Sequence, residues 1–312
     1  MSERTPIIVP PGSGATFGAA GSQHRLLITG KETEGRYAIA LGEVSHGKGP
    51  PPHRHGFGEG FYILSGEVTF FAGNRKETLG RGGFIHIEPG VWHRFEGASR
   101  EPARVLGIFA PAGFEEFLAR AAPPGEAVEP QAVRALGAEY GIEFDPPAEA
   151  WQEEPNITIR RPGEGDYFAV VGDLYRFLAE TGQTAGRYTL WHAVVSPGGG
   201  PPPHTHRRED EGFFVLAGEV EFLAEGRTAA AGPGTYLHLP IGSLHGFRNP
   251  RHAPAEMLIV VGPSGLEGLF RSVGVPITDP RAPIPEPAPD EIARLLRTAP
   301  RYGVEIRLPG NG

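Results

Sequence analysis

Apolar residues along this chain fall in short runs bounded by glycine and proline. "GRYAIALGEV" from Gly35, "EGFYILSGEVTFFA" from Glu59 and "GFIHIEPG" from Gly83 are rich in Val, Ile, Phe and Tyr. Such side chains suit a pleated, half-buried surface, and the bounding residues supply turns, so the runs predict strands. Helical patterning appears towards the end of each half. One case is "PAGFEEFLAR" from Pro111; the other is "APDEIARLLRTAP" from Ala288. In the latter, Asp290 is placed to cap the helix, Ile292, Leu295 and Leu296 share a face, and Pro300 stops it. The expected class is all-β, with two barrels or sandwiches and a small helical appendage after each.

The pattern also repeats. "VSHGKGPPPHRH" starts at Val44 and "VSPGGGPPPHTH" at Val195, 151 residues later. The same offset carries "PGSG" at Pro11 onto "PGEG" at Pro162, and "GRY" at Gly35 onto Gly186. Beyond the histidine pair the offset becomes 152, which brings "FYILSGEVTFFA" from Phe61 onto "FFVLAGEVEFLA" from Phe213, and His93 onto His245. "YGIEF" from Tyr140 is echoed by "YGVEI" from Tyr302. A duplication of nearly the whole chain predicts two similar domains, 1–150 and 151–312, joined through "DPPAEAWQEEPN".

Composition narrows the chemistry. The 312 residues include 39% apolar side chains, a formal charge of −8 and no cysteine. Thiolate metal sites, disulfides and cysteine nucleophiles are excluded. Without basic blocks, nucleic acid and anionic membranes are not expected partners. No run nears the roughly 18 apolar residues of a membrane span. The N-terminus has no secretion-signal pattern, so the expected location is cytoplasmic.

In each half, histidines and one acid recur in register. On a strand, His53 and His55 point one way while Arg54 points the other. Glu59 opens the next strand after a turn. His93 follows the tight turn at Gly90. The second half offers His204, His206, Glu211 and His245, the last after Gly242. Glu209 competes with Glu211. The spacing favours Glu211, because Glu59–Gly66 and Glu211–Gly218 are equally separated. Three imidazoles and one carboxylate suit a divalent transition metal with open coordination positions, one per barrel: Fe, Mn, Co, Ni, Cu or Zn. His86 and His238 also recur and read as packing and supporting hydrogen-bonding groups. His24, His46, His192 and His252 do not recur and read as structural or surface groups.

"GPPPHRHGFGEGFYILSG" with "GGFIHIEPGVWHRFEG", and "GPPPHTHRREDEGFFVLAG" with "GPGTYLHLPIGSLHGFRN", resemble the two motifs of cupins. The second copy matches down to Asn249. The first departs at Glu88, where the motif has proline, and at Gly97, where it has asparagine. The resemblance implies tandem double-stranded β-helix (jelly-roll) barrels. Among two-barrel cupins, the "GPPPHxH" lead-in and the helix after each barrel are most similar to bacterial quercetin 2,3-dioxygenases. That likeness implies a metal-bound flavonol cleaved by dioxygen with loss of carbon monoxide. By motif position, His53, His55, Glu59 and His93 would hold one metal and His204, His206, Glu211 and His245 the other, with Glu59 and Glu211 as bases.

Strand parity puts Phe61, Ile63 and Phe95 beside the first metal, and Phe213, Val215 and Phe247 beside the second. Apolar walls suit a planar aromatic substrate, although the same residues can simply fill a small barrel. The expected partners are therefore a small molecule and dioxygen, with a homodimer the candidate assembly. Three other functions stand beside this one. A decarboxylase of a small dicarboxylic acid would need a cation by the metal, and parity turns Arg54 and Arg94 away. A sugar or keto-acid isomerase would use the metal without oxygen. A non-enzymatic sensor or storage protein would not need both ligand sets complete.

Overall fold

The computed structural model describes residues 4–19, 22–122 and 129–307. It forms two compact units: Ser13–Glu164, and Met1–Gly12 together with Gly165–Gly312. In the first unit a seven-stranded sheet runs Ile157–Arg160, Phe84–Ile87, Gly58–Ser65, Ala103–Ala110, Ala38–Val44, Ser22–Ile28, Thr16–Ala19. A five-stranded sheet runs Glu143–Phe144, His53–Arg54, His93–Gly97, Glu67–Ala72, Arg75–Gly80. Neighbouring strands are antiparallel throughout both sheets. One core joins them, with Ala40, Phe61, Ile63 and Val105 from one sheet meeting Val68, Phe70, Leu79 and Phe95 from the other. This is the barrel of two facing sheets expected from the short apolar runs.

The second unit repeats the plan with an eight-stranded and a five-stranded sheet. Its core includes Phe177, Trp191, Phe213, Phe222, Phe247 and Ile259. Appended helices span Phe114–Ala121 and Pro130–Glu139 in the first unit, and Glu267–Val273 and Glu291–Thr298 in the second.

Two expectations are corrected. The units do not divide at 150/151. Ile157–Arg160 pairs with Phe84–Ile87 in the first unit, and Ile7–Val9 pairs with Tyr236–Leu239 in the second. Each of these short runs covers the edge of a sheet that would otherwise be left unpaired. Asp290 also makes no side-chain cap. The buried Glu291 turns inward instead, accepting from two amides outside the helix, Ala288 N at 3.1 Å and Val171 N at 2.7 Å. With Glu291 turned inward, Ile292 is left 48% exposed.

Candidate metal centres

Backbone pairing assembles both clusters. His53 lies directly opposite His93 on antiparallel strands, and His204 lies opposite His245. Gly90 and Gly242 adopt φ of 81° and 90°, a conformation that L side chains resist. Their amides donate to the carbonyls of His55 and His206, tying each turn to the histidine segment. Glu59 stands opposite Phe109, and Glu211 opposite Val261, the repeat mate of Phe109. That register makes Glu211 the counterpart of Glu59. Glu209 lies behind His206 instead, with Oε2 3.4 Å from Nδ1.

One ligand atom from each of His53, His55, Glu59 and His93 falls within 4.8 Å of the others, and the same holds for His204, His206, Glu211 and His245. All eight residues are buried. The Nδ1 atoms of His53, His55 and His93 lie 2.9 Å from the carbonyls of Pro51, Phe57 and Val91. Those of His204 and His245 lie 3.0 Å from the carbonyls of Pro202 and Ser243. A carbonyl accepts only, so each Nδ1 carries the proton and each Nε2 keeps its lone pair. Nε2 of His55, His93 and His206 and Oε2 of Glu59 are buried without a hydrogen-bond partner. Within each cluster these orphaned acceptors face the other ligand atoms and fit a divalent cation, one per barrel, which would satisfy them together.

Charge favours the same state. Burial, and then His93, push His53 down to about 3; burial with His245 and His206 does the same to His204, also about 3. For Glu59, burial works upward, but His55 and His93 outweigh it and hold the carboxyl well below its usual range. Glu211 is likewise brought down to about 2 by His206 and His245 against burial. The glutamates are ionised and His53 and His204 neutral at neutral pH, as ligands must be.

The two centres open into very different spaces. Beside the first is a cavity of about 880 Å³, lined by His53, Glu59, Phe61, Phe95, Gly107 and Phe109 among others. Beside the second is about 90 Å³, lined by His204, His206, Glu211, Trp191, Phe213 and Phe247 among others. Strand register explains the contrast. In the first barrel one row across the sheet reads Phe61, Gly107, Ala40, Leu26. The matching row in the second reads Phe213, Ile259, Trp191, Phe177. Trp191 is fully buried and packs 4.4 Å from Phe270, ring centre to ring centre. Glycine and alanine leave room where isoleucine and tryptophan fill it.

Phe61 and Phe95 thus line the first cavity, and Phe213 and Phe247 the second. Ile63 and Val215 are fully buried in the two cores and line neither. Arg54 turns away, bonding Glu143 at 2.7 Å. Arg94 reaches the cavity edge, but its guanidinium lies 3.6 Å from the Phe71 ring centre and bonds Glu96 at 2.7 Å. His86 and His238 are buried, near Glu88 and Asp210. His192 bonds Glu256 at 3.0 Å and His252 is exposed. His24 departs from expectation: it lines the first cavity. Sequence reasoning passed over it because it does not recur; Tyr175 stands in its place, also on its cavity wall.

Comparison with known proteins matches the cupin domain to residues 40–109 and 191–261. Quercetin 2,3-dioxygenase of Bacillus subtilis (strain 168) is 23% identical, over 98% of this chain and 97% of its own. Among solved structures, a variant of oxalate decarboxylase from Bacillus subtilis superposes with a TM-score of 0.60 at 16% identity, covering 85% of this chain and 78% of that one. Oxalate decarboxylase of Lactobacillus farciminis gives 0.59 at 15%, covering 87% and 91%. Ylba of E. coli gives 0.59 at 15%, covering 83% and 91%. These structures share the fold. Among the described residues no helix is long and apolar enough to cross a membrane.

Proposed function

We propose, from the premise that this chain is a bicupin, that it is a metal-dependent dioxygenase acting on a flavonol or similar aromatic enol, with the first barrel as its active site. One observation carries the reading: a metal-binding cluster opens into an apolar, aromatic cavity of about 880 Å³. Pockets for drug-sized ligands span roughly 300–1,000 Å³. The likeness to a quercetin 2,3-dioxygenase over both halves of the chain points the same way.

His53, His55, Glu59 and His93 would hold a divalent transition metal, which when bound would supply a Lewis acid that acidifies the substrate hydroxyl. Glu59, ionised and with Oε2 unpartnered, takes the enol proton. Phe61, Phe95 and Phe109 bind the ring system and exclude water. The balanced reaction is flavonol plus O₂ giving carbon monoxide and an ester of the two aromatic halves, with both oxygen atoms retained in the ester.

A decarboxylase of a small dicarboxylate is the second reading, and the small second cavity favours it by size. Among the described residues that cavity has no lysine or arginine in its wall, while Asp173 and Glu211 are there. A dianion would then have the metal as its only cationic partner among the described lining residues. The deciding experiment is steady-state oxygen uptake and carbon monoxide release on quercetin by metal-reconstituted protein. Turnover of quercetin with one O₂ consumed per CO released supports the dioxygenase. Inertness towards flavonols, with oxygen-independent conversion of a keto-substrate or decarboxylation of oxalate, overturns it.

A further inference from the structure

Among the described residues, six polar side chains line the first cavity: His24, His53, Glu59, Arg94, Glu96 and Arg134. Five are committed. His53 and Glu59 belong to the metal cluster. Arg94 and Glu96 bond each other. Arg134 pairs with Asp145 and lies over Phe144. The half-buried His24 ring has no side-chain hydrogen bond among the described residues, so its nitrogens are available to a molecule in the cavity.

The fold aims this ring inward. His24 sits on Ser22–Ile28, paired with Gly42 on Ala38–Val44. A side chain at Gly42 would meet Val105 at 3.0 Å and His24 Nδ1 at 3.5 Å. The bare glycine therefore lets the imidazole lean over the neighbouring strand. Two strands separate His24 from the strand of Glu59, and the wall between is kept low by Gly107 and Ala40. Burial lowers the pKa of His24, with Glu59 opposing. A neutral imidazole offers one donor and one acceptor, and a phenolic hydroxyl can meet either of them.

We propose that His24 is a substrate-binding residue that hydrogen-bonds a phenolic hydroxyl at the part of the first cavity away from the metal ligands. The assignment rests on the flavonol reading of that cavity. It makes the enzyme select polyhydroxylated over unsubstituted flavonols.

The test is an anaerobic absorbance titration of the metal-reconstituted full chain with quercetin and with 3-hydroxyflavone, which lacks the outer hydroxyls. For His24→Ala, quercetin binding should weaken about tenfold, the scale of one lost buried hydrogen bond. 3-Hydroxyflavone should bind as to the wild type. His24→Gln should recover most of the quercetin affinity. Equal weakening for both ligands, or none for quercetin, overturns the role of His24. If both flavonols bind but no oxygen is consumed on aeration, the dioxygenase reading falls while His24 is still judged by the difference. Absence of quercetin binding to the wild type overturns both.

Discussion

Trp191 occupies in the second barrel the position that Ala40 occupies in the first. Ala40 lies opposite Gly107 and Leu26; Trp191 lies opposite Ile259 and Phe177. The same ligand set thus faces about 880 Å³ in one barrel and about 90 Å³ in the other. One backbone, duplicated, has been given two capacities by side chains that never touch the metal.

The first prediction exchanges these residues. Ala40→Trp should fill the first cavity and abolish flavonol binding, while elemental analysis still finds metal in both barrels. Trp191→Ala removes a fully buried indole and should cost about 3–5 kcal/mol, read as a lower unfolding midpoint of the second unit. An Ala40→Trp protein that binds quercetin normally would mean the large cavity is not the substrate site.

The ligand sets were legible because spacing and repetition reported them directly: register places Glu59 opposite Phe109 and Glu211 opposite Val261, as the repeat requires. What stayed hidden is where the repeats differ. Ala40 against Trp191, or His24 against Tyr175, reads as ordinary core variation until pairing shows that one row crosses the cavity floor. The unit boundary was hidden for another reason. Ile7–Val9 and Ile157–Arg160 occupy equivalent places in the two repeats, and self-similarity cannot say which sheet edge each one covers. The inward turn of Glu291, beside an Asp290 that makes no side-chain cap, was hidden because its partner, the Val171 amide, is 120 residues away.

The glutamates should differ in consequence. Glu59→Gln keeps the shape and an oxygen ligand but cannot take a proton. kcat on quercetin should fall about 100-fold or more, with a smaller loss of metal. Glu211→Gln should leave flavonol turnover within about twofold, since the second cavity is too small for the substrate. Equal losses from both variants would place turnover in both barrels.

Metal removal should separate chemistry from folding. Each barrel has a core of aromatic and aliphatic residues independent of the ligands. Chelation should therefore abolish oxygen uptake and leave the far-ultraviolet circular dichroism unchanged, unlike small zinc domains that unfold without their ion. Cooperative unfolding on chelation would contradict this.

Asp173 gives a pH-dependent stability. Burial raises its carboxyl to about 7, against hydrogen bonds from the Ser196 and Gly200 amides. The folded state then holds this proton more tightly than the unfolded chain. Stability from this group is fully present below pH ~4 and is lost as pH rises towards 7. The loss is at most about 4 kcal/mol. Asp173→Asn should remove this slope, so denaturation midpoints of variant and wild type should diverge between pH 4 and 7. Parallel curves would refute the assignment.

The two centres should also differ in how tightly they hold metal. In the first barrel, His55 Nδ1 meets the Phe57 carbonyl at 2.9 Å. In the second, the Glu209 carboxylate lies 3.4 Å behind His206 Nδ1, an ion-pair distance without a formed hydrogen bond. For His206, burial works downward, but Glu211 and Glu209 outweigh it, so the imidazole is raised above its ordinary pKa. An anion behind a ligating histidine fixes the ring and makes its other nitrogen a stronger donor, and removing such a partner typically costs about 10–100-fold in metal affinity. Chelator competition on the wild type should empty the first barrel before the second. Glu209→Gln should weaken the second site within that range and leave the first unchanged, merging the two steps. If the variant loses metal from both barrels equally, Glu209 acts on the fold and not on His206. If it loses none, the carboxylate is only a neighbour.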